Sequence, residues 1–157
     1  MLHASDWDLP EPFVATVEVQ AADIDSYRHV NNAVYVSWLD RAAWQHSAAL
    51  GMPLERCLAL DRGMAVRRTV IEYLRPALLG DEAQVATWLL PGESKLQVRR
   101  RFQAKRAADG QTLVRAEIDY VCIQLSSGRP VRWPPEFHAA YAPSTAIVAA
   151  GAALVPL

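Results

Sequence analysis

The sequence predicts an α+β fold in which an antiparallel sheet of about five strands wraps round one long helix. Three observations carry this. One 3.6-period apolar stripe runs through residues 33–50; a β-branched run precedes it at 13–20; and four period-two segments follow it, separated by short turn signals. A single helix with an apolar face needs a concave sheet to bury that face, which selects this layering over separate α and β units. At 157 residues the chain is sized for one domain with one core.

The first strand is expected over 13–20, where Val17 and Val19 alternate with Glu18 and Gln20. A polar stretch, 23–32, breaks the alternation and offers Asn31 and Asn32 as helix caps. From Ala33, the residues Tyr35, Trp38, Leu39, Ala42, Ala43, His46, Ala49 and Leu50 recur every three or four positions, until Gly51 and Pro53 end the helix. A short connection at 54–61 has helical character. Strands are expected over 64–74, 82–90, 95–104 and 112–125, punctuated by Arg75-Pro76, Gly80-Asp81, Pro91-Gly92 and Asp109-Gly110. These short connections predict a meander. Trp133-Pro134-Pro135 reads as a turn, with one or two helical turns over 136–141. Residues 1–142 form the domain, and 143–157 are an apolar tail that suits packing on a neighbouring subunit.

Composition removes several function classes. Lys+Arg 16 against Asp+Glu 17 gives a formal charge of -1, without the basic excess that nucleic-acid binding draws on. Cys57 and Cys122 lack further ligands at metal-site spacing, so reduced buried thiols are expected and neither a disulfide scaffold nor a metal is predicted. The N-terminus lacks the basic and apolar pattern of a secretion signal, and the apolar tract 139–157 is broken by Pro143, Gly151 and Pro156, too short to span a bilayer. A cytoplasmic protein is expected. No Gly-x-Ser-x-Gly elbow occurs, which argues against a serine hydrolase.

The densest polar cluster lies between the first strand and the helix: Asp23, Asp25, Ser26, Tyr27, Arg28, His29, Asn31 and Asn32. A carboxylate and an imidazole beside a helix N-terminus suit carbonyl hydrolysis, because exposed N–H groups hold a developing oxyanion while the carboxylate handles water. The same residues also suit a purely local role, with Asp25 and Asn31 capping turns and His29 filling space.

The run Asp25-Ser-Tyr-Arg-His29-Val30-Asn31-Asn32-Ala-Val-Tyr35 resembles the Asp-x-x-x-His-Val-Asn-Asn-x-x-Tyr signature of hotdog-fold acyl-CoA and acyl-carrier-protein thioesterases. Trp38-Leu39-Asp40 is similar to the same part of 4-hydroxybenzoyl-CoA thioesterase, and 71–81 resembles a strand and turn of the superfamily. The resemblance implies that Asp25 is the essential carboxylate, as general base or as nucleophile through an anhydride. It implies an oxyanion site at the backbone N–H near Asn32, with His29 and Asn31 orienting water or the carboxylate. Asp40 matches a helix carboxylate, often Glu. The sequence departs at Arg28, where relatives often carry glycine.

Tyr35, Trp38 and Leu39 are candidates for the acyl-binding wall. The basic residues that could meet coenzyme A phosphates are Arg99, Arg100, Arg101, Lys105 and Arg106, with Arg67 and Arg68; Arg99 and Arg101 are the candidates, although such a run also suits a solvated outer face. Alternation sets Arg100 on the opposite face, with Val98 and Phe102. The resemblance implies hydrolysis of an acyl-CoA, or of an acyl-carrier-protein, with no cofactor, no nucleic acid and no membrane. It also implies a homodimer or homotetramer with sites between subunits. The competing readings are a non-catalytic acyl-CoA-binding protein and a hotdog hydratase or dehydratase.

Overall fold

The computed structural model describes residues 7–151. Strand β1 (Phe13–Glu18) leads through a 3-10 turn (Ala21–Asp23) to helix α1 (Asn32–Ala49). A short helix α2 (Leu54–Leu60) follows, then β2 (Arg62–Tyr73), β3 (Glu82–Pro91), β4 (Gln97–Arg106) and β5 (Thr112–Gln124). Helices α3 (Pro135–Tyr141) and α4 (Thr145–Ala150) close the described chain. No helix among the described residues is long and apolar enough to cross a membrane.

All five strands form one antiparallel sheet in the order β1-β3-β4-β5-β2. The expected meander holds only for β3, β4 and β5. Strand β2 does not pair with β3, its successor, but lies on the far edge beside β5. The reason is visible in the 74–81 connection, which crosses the end of α1: Val30 N–H donates to Ala77 O at 2.9 Å, and Ala77 N–H donates to Tyr35 Oη at 2.9 Å. Turn signals report where a strand ends; they carry no information about which edge the next one joins.

Helix α1 starts where Asn31 Oδ1 accepts Ala33 N–H at 2.9 Å. It stops at Gly51, whose φ of 85° suits the residue past a helix end. Its buried face is Tyr35, Trp38, Leu39, Ala42, Ala43 and Ser47. This face lies on the concave side of the sheet, against Val85, Leu89, Val98, Phe102, Ala116 and Ile118. Each Leu- or Phe-sized side chain buried there contributes about 1.5–3 kcal/mol.

The outer face of the sheet differs from the solvated surface that its charges suggested. Ala86, Trp88 and Leu90 of β3 pack with Leu9 and with Ile147 of α4, so part of the expected apolar tail folds back on its own sheet. Residues 7–10 cover the neighbouring strip: Lys105 Nζ lies 4.9 Å from the Trp7 ring centroid, and Trp88 Nε1 donates to Pro10 O. Arg101, Gln103 and Lys105 are buried there. The two sheet edges are unequal: β2 pairs only with β5 and carries the exposed segment Val66, Arg67, Arg68 and Thr69, with a bulge between Val66 and Arg68.

Candidate active site

The polar segment between β1 and α1 is a closed turn. Asp25 N–H donates to His29 O at 2.9 Å and Arg28 N–H to Asp25 O at 3.0 Å, while an isolated bridge joins Ile24 to Val30. The Asp25 carboxylate is half-buried, and its Oδ1 accepts Tyr27 N–H at 2.8 Å. Arg28 sits at φ 64°, the left-handed region that glycine occupies without strain, so the loop shape survives the departure noted at that position.

The turn delivers the chain to the start of α1. Asn31 N–H donates to Asp23 O at 2.8 Å, and the Asn31 side chain caps Ala33. The N–H of Asn32, first residue of the helix, donates to no acceptor among the described residues. It sits at the positive end of the helix dipole, a setting that favours an oxyanion. Tyr73 Oη donates to Asn32 O at 2.9 Å, which fixes the first helical turn against the end of β2.

A cleft of about 210 Å³ opens here, lined by His29, Val30, Asn32, Tyr35, Tyr73, Leu74, Arg75 and Pro76. Its far wall is the 74–81 connection, anchored on one side by Tyr35 and on the other by Arg106. The Arg106 guanidinium donates to Asp81 Oδ2 at 2.9 Å and to Pro76 O at 2.7 Å. Burial raises the Tyr35 hydroxyl above its ordinary value, so it remains protonated.

The structure groups Asp25, His29, Asn31 and Asn32 in one loop and helix start, and sets Tyr35 beside them. Asp25 itself is not among the residues lining the cleft; His29, hydrogen-bonded to it through the backbone, is. Trp38 stacks edge-on to Tyr35 at 4.9 Å within the core and lines neither this cleft nor the cavity further along α1. Asp40 lines that second cavity instead, with Arg100 and Tyr120. Arg99 and Arg101 lie on the other face of the sheet: Arg99 donates to Asp119 at 2.6 and 3.2 Å, and Arg101 pairs with Glu117 at 3.7 Å.

Tyr73 and Arg75 escaped the site assignment from sequence. Their local pattern is that of a strand and its turn, and only the crossing of 74–81 brings them to the helix N-terminus. Both cysteines are buried and unpaired, and burial pushes the Cys122 thiol up to about 11, which disqualifies it as a nucleophile.

A family model described as the thioesterase-like superfamily matches residues 19–141, most of the chain. The chain belongs to the thioesterase-like superfamily. Its five-stranded sheet round one helix is the hotdog fold of that superfamily. The chain is similar to the long-chain acyl-CoA thioesterase FadM of Escherichia coli, at 28% identity over 111 residues, covering 71% of this chain and 83% of FadM. Two solved structures share the fold. A DHNA-CoA thioesterase from Staphylococcus aureus superposes with a TM-score of 0.78 at 17% identity, covering 93% of this chain and 97% of the other. A 1,4-dihydroxy-2-naphthoyl-CoA thioesterase from Synechocystis gives 0.75 at 20% identity, covering 83% and 96%. The family match places this thioesterase-like domain over the loop, α1 and the cleft together, since 19–141 contains every residue of the candidate site.

Proposed function

We propose that this superfamily member hydrolyses an acyl-CoA thioester, or the thioester of an acyl-carrier protein, with Asp25 as general base or nucleophile. The observation that supports the reading is one closed turn that holds the half-buried Asp25 carboxylate and leads directly to the Asn32 amide at the head of α1, which donates to no acceptor among the described residues. A thioester is already activated, so one carboxylate and one good oxyanion donor suffice. The thioester carbonyl would sit at the Asn32 N–H, and negative charge on its oxygen in the tetrahedral state would meet the helix dipole. Asp25 would take the proton of an attacking water, or attack directly. His29 and Asn31 would hold the turn and the helix cap that keep the two groups in register. The names of FadM, of the DHNA-CoA thioesterase and of the 1,4-dihydroxy-2-naphthoyl-CoA thioesterase support coenzyme A as the thiol.

The exposed edge of β2 supports a homo-oligomer, because a long unpaired edge carrying Val66 in solvent is a template for another strand. Pairing there would bring a second subunit next to Tyr73 and the cleft. Sedimentation should therefore show at least a dimer, and a fully active monomer would remove this part of the proposal.

The test is thiol release from a panel of acyl-CoAs of differing length and aromaticity. Asp25→Asn is expected to lower the rate by about 100- to 10,000-fold, the usual contribution of a positioned base. Undiminished turnover in Asp25→Asn would overturn the assignment.

A further inference from the structure

Further along α1, a cavity of about 70 Å³ lies between α1, α2, α3 and the strands β2, β4 and β5. Ala43, Met64, Val66 and Val98 give it apolar walls, yet one cation stands in it: Arg100, whose residue exposure is 3%. Arg100 Nη1 donates to His46 Nδ1 at 2.8 Å and Nη2 to Ser47 Oγ at 2.9 Å, and its Cζ lies 6.0 Å from the Tyr141 ring centroid. These partners are neutral. Burial and the Arg100 charge hold His46 at about 4, so the imidazole takes no proton near neutrality. No ion pair joins Arg100 to a carboxylate among the described residues; Asp40, an exposed residue, lines the same cavity, and its carboxylate acts on Tyr120 rather than pairing with Arg100.

A second donor faces the same space. Tyr120 is 7% exposed, lines the cavity, and its hydroxyl makes no hydrogen bond among the described residues. Burial pushes it up to about 12, so it stays a donor. A buried guanidinium without an ion-pair partner is costly, and the Tyr120 hydroxyl beside it is a donor still open to the cavity. One group answers both: an anion with two acceptor oxygens, which the planar guanidinium matches geometrically.

We propose that this cavity receives the far end of the acyl group and that this end is a carboxylate, held by Arg100 and Tyr120. The assignment rests on the thioesterase reading for the near end of the substrate. The helix sets the scale: Asp40, in the cavity lining, is eight residues from Asn32, about 12 Å along the axis at 1.5 Å per residue. The chain must therefore be of intermediate length or longer, since a short diacid held at Asn32 would not reach Arg100. An alkyl end would leave the cation and the hydroxyl as they are.

The test uses non-hydrolysable S-alkyl-CoA thioethers in a length series, each length ending in carboxylate, hydroxyl or methyl. Titration calorimetry on the full-length protein is expected to show the carboxylate end bound about 10- to 100-fold more tightly than either neutral end at the best length, the range of one to two charged hydrogen bonds. Arg100→Met should bring that ratio to about one, and Tyr120→Phe should reduce it; the second variant decides the matter if the first does not fold. A wild-type ratio of one, or a preference for methyl or hydroxyl, overturns the proposal. The matching thioesters separate the two claims. Discrimination without any thiol release would sink the hydrolase reading and keep the carboxylate site, whereas thiol release without discrimination would do the reverse.

Discussion

Tyr35→Phe deletes one oxygen at the junction of α1 with the connection that walls the cleft. Tyr35 is 2% exposed and its hydroxyl accepts the N–H of Ala77, itself 0% exposed. Phenylalanine keeps the ring and its contacts with Trp38 and Tyr73, so almost no cavity is created. What is lost is the partner of a buried backbone donor, a penalty of about 1–3 kcal/mol. For a chain of this size each 1 kcal/mol moves the melting temperature by about 2–4 °C, so Tm should fall by about 2–12 °C. Tyr73→Phe is the internal control. It removes the same atom from a hydrogen bond of the same 2.9 Å length, but at an exposed position where water reaches the Asn32 carbonyl, and should cost about 0.5 kcal/mol. Urea unfolding at fixed protein concentration, followed by tryptophan fluorescence, reads both, with the midpoint shifting at unchanged slope. If Tyr35→Phe unfolds with wild type, or if both variants cost the same, the claim that the Tyr35 hydroxyl anchors the crossing is wrong.

Arg28→Gly should stabilise the fold by up to about 1 kcal/mol: relieving a left-handed residue gains about 1–2 kcal/mol, and the extra freedom of glycine in the unfolded chain takes part of it back. Thermal unfolding with Tm no higher than wild type would contradict this. His46, held at about 4 against an ordinary 6.5, is neutral in the folded state, so the unfolded chain binds the proton first. Stability should be complete above pH 6.5 and decline as pH falls towards 4; a pH series of urea midpoints should show a shallower decline in His46→Gln. Ile147→Ala should cost about 2 kcal/mol, measured by urea unfolding, because Ile147 is buried against β3; a surface-like change of a few tenths would mean that α4 adds nothing to the core.

Much of the fold was legible because periodicity is a local property. The stripe from Tyr35 to Ala43 could only be one face of a helix, and Asp109-Gly110 could only be a tight turn, with Gly110 at φ 70°. Likewise the grouping of Asp25, His29, Asn31 and Asn32 needed no folding to be seen, since eight consecutive residues cannot travel far apart. Alternation on β4 correctly set Arg100 apart from Arg99 and Arg101.

Contacts between distant segments were a different matter. The sequence by itself determined the elements, their order, the position of the carboxylate-bearing turn against the helix cap, and the membership of a hydrolase-like family. Only the tertiary structure decided that β2 lies beside β5, that Tyr73 and Arg75 wall the cleft, that residues 7–10 and α4 pack on the outer face of β3 and β4, and that Arg100 stands without an ion-pair partner. The reason is physical: backbone periodicity and capping act within a few residues, whereas strand pairing and the neutralisation of a buried charge depend on which surfaces meet after the chain has crossed over its own helix.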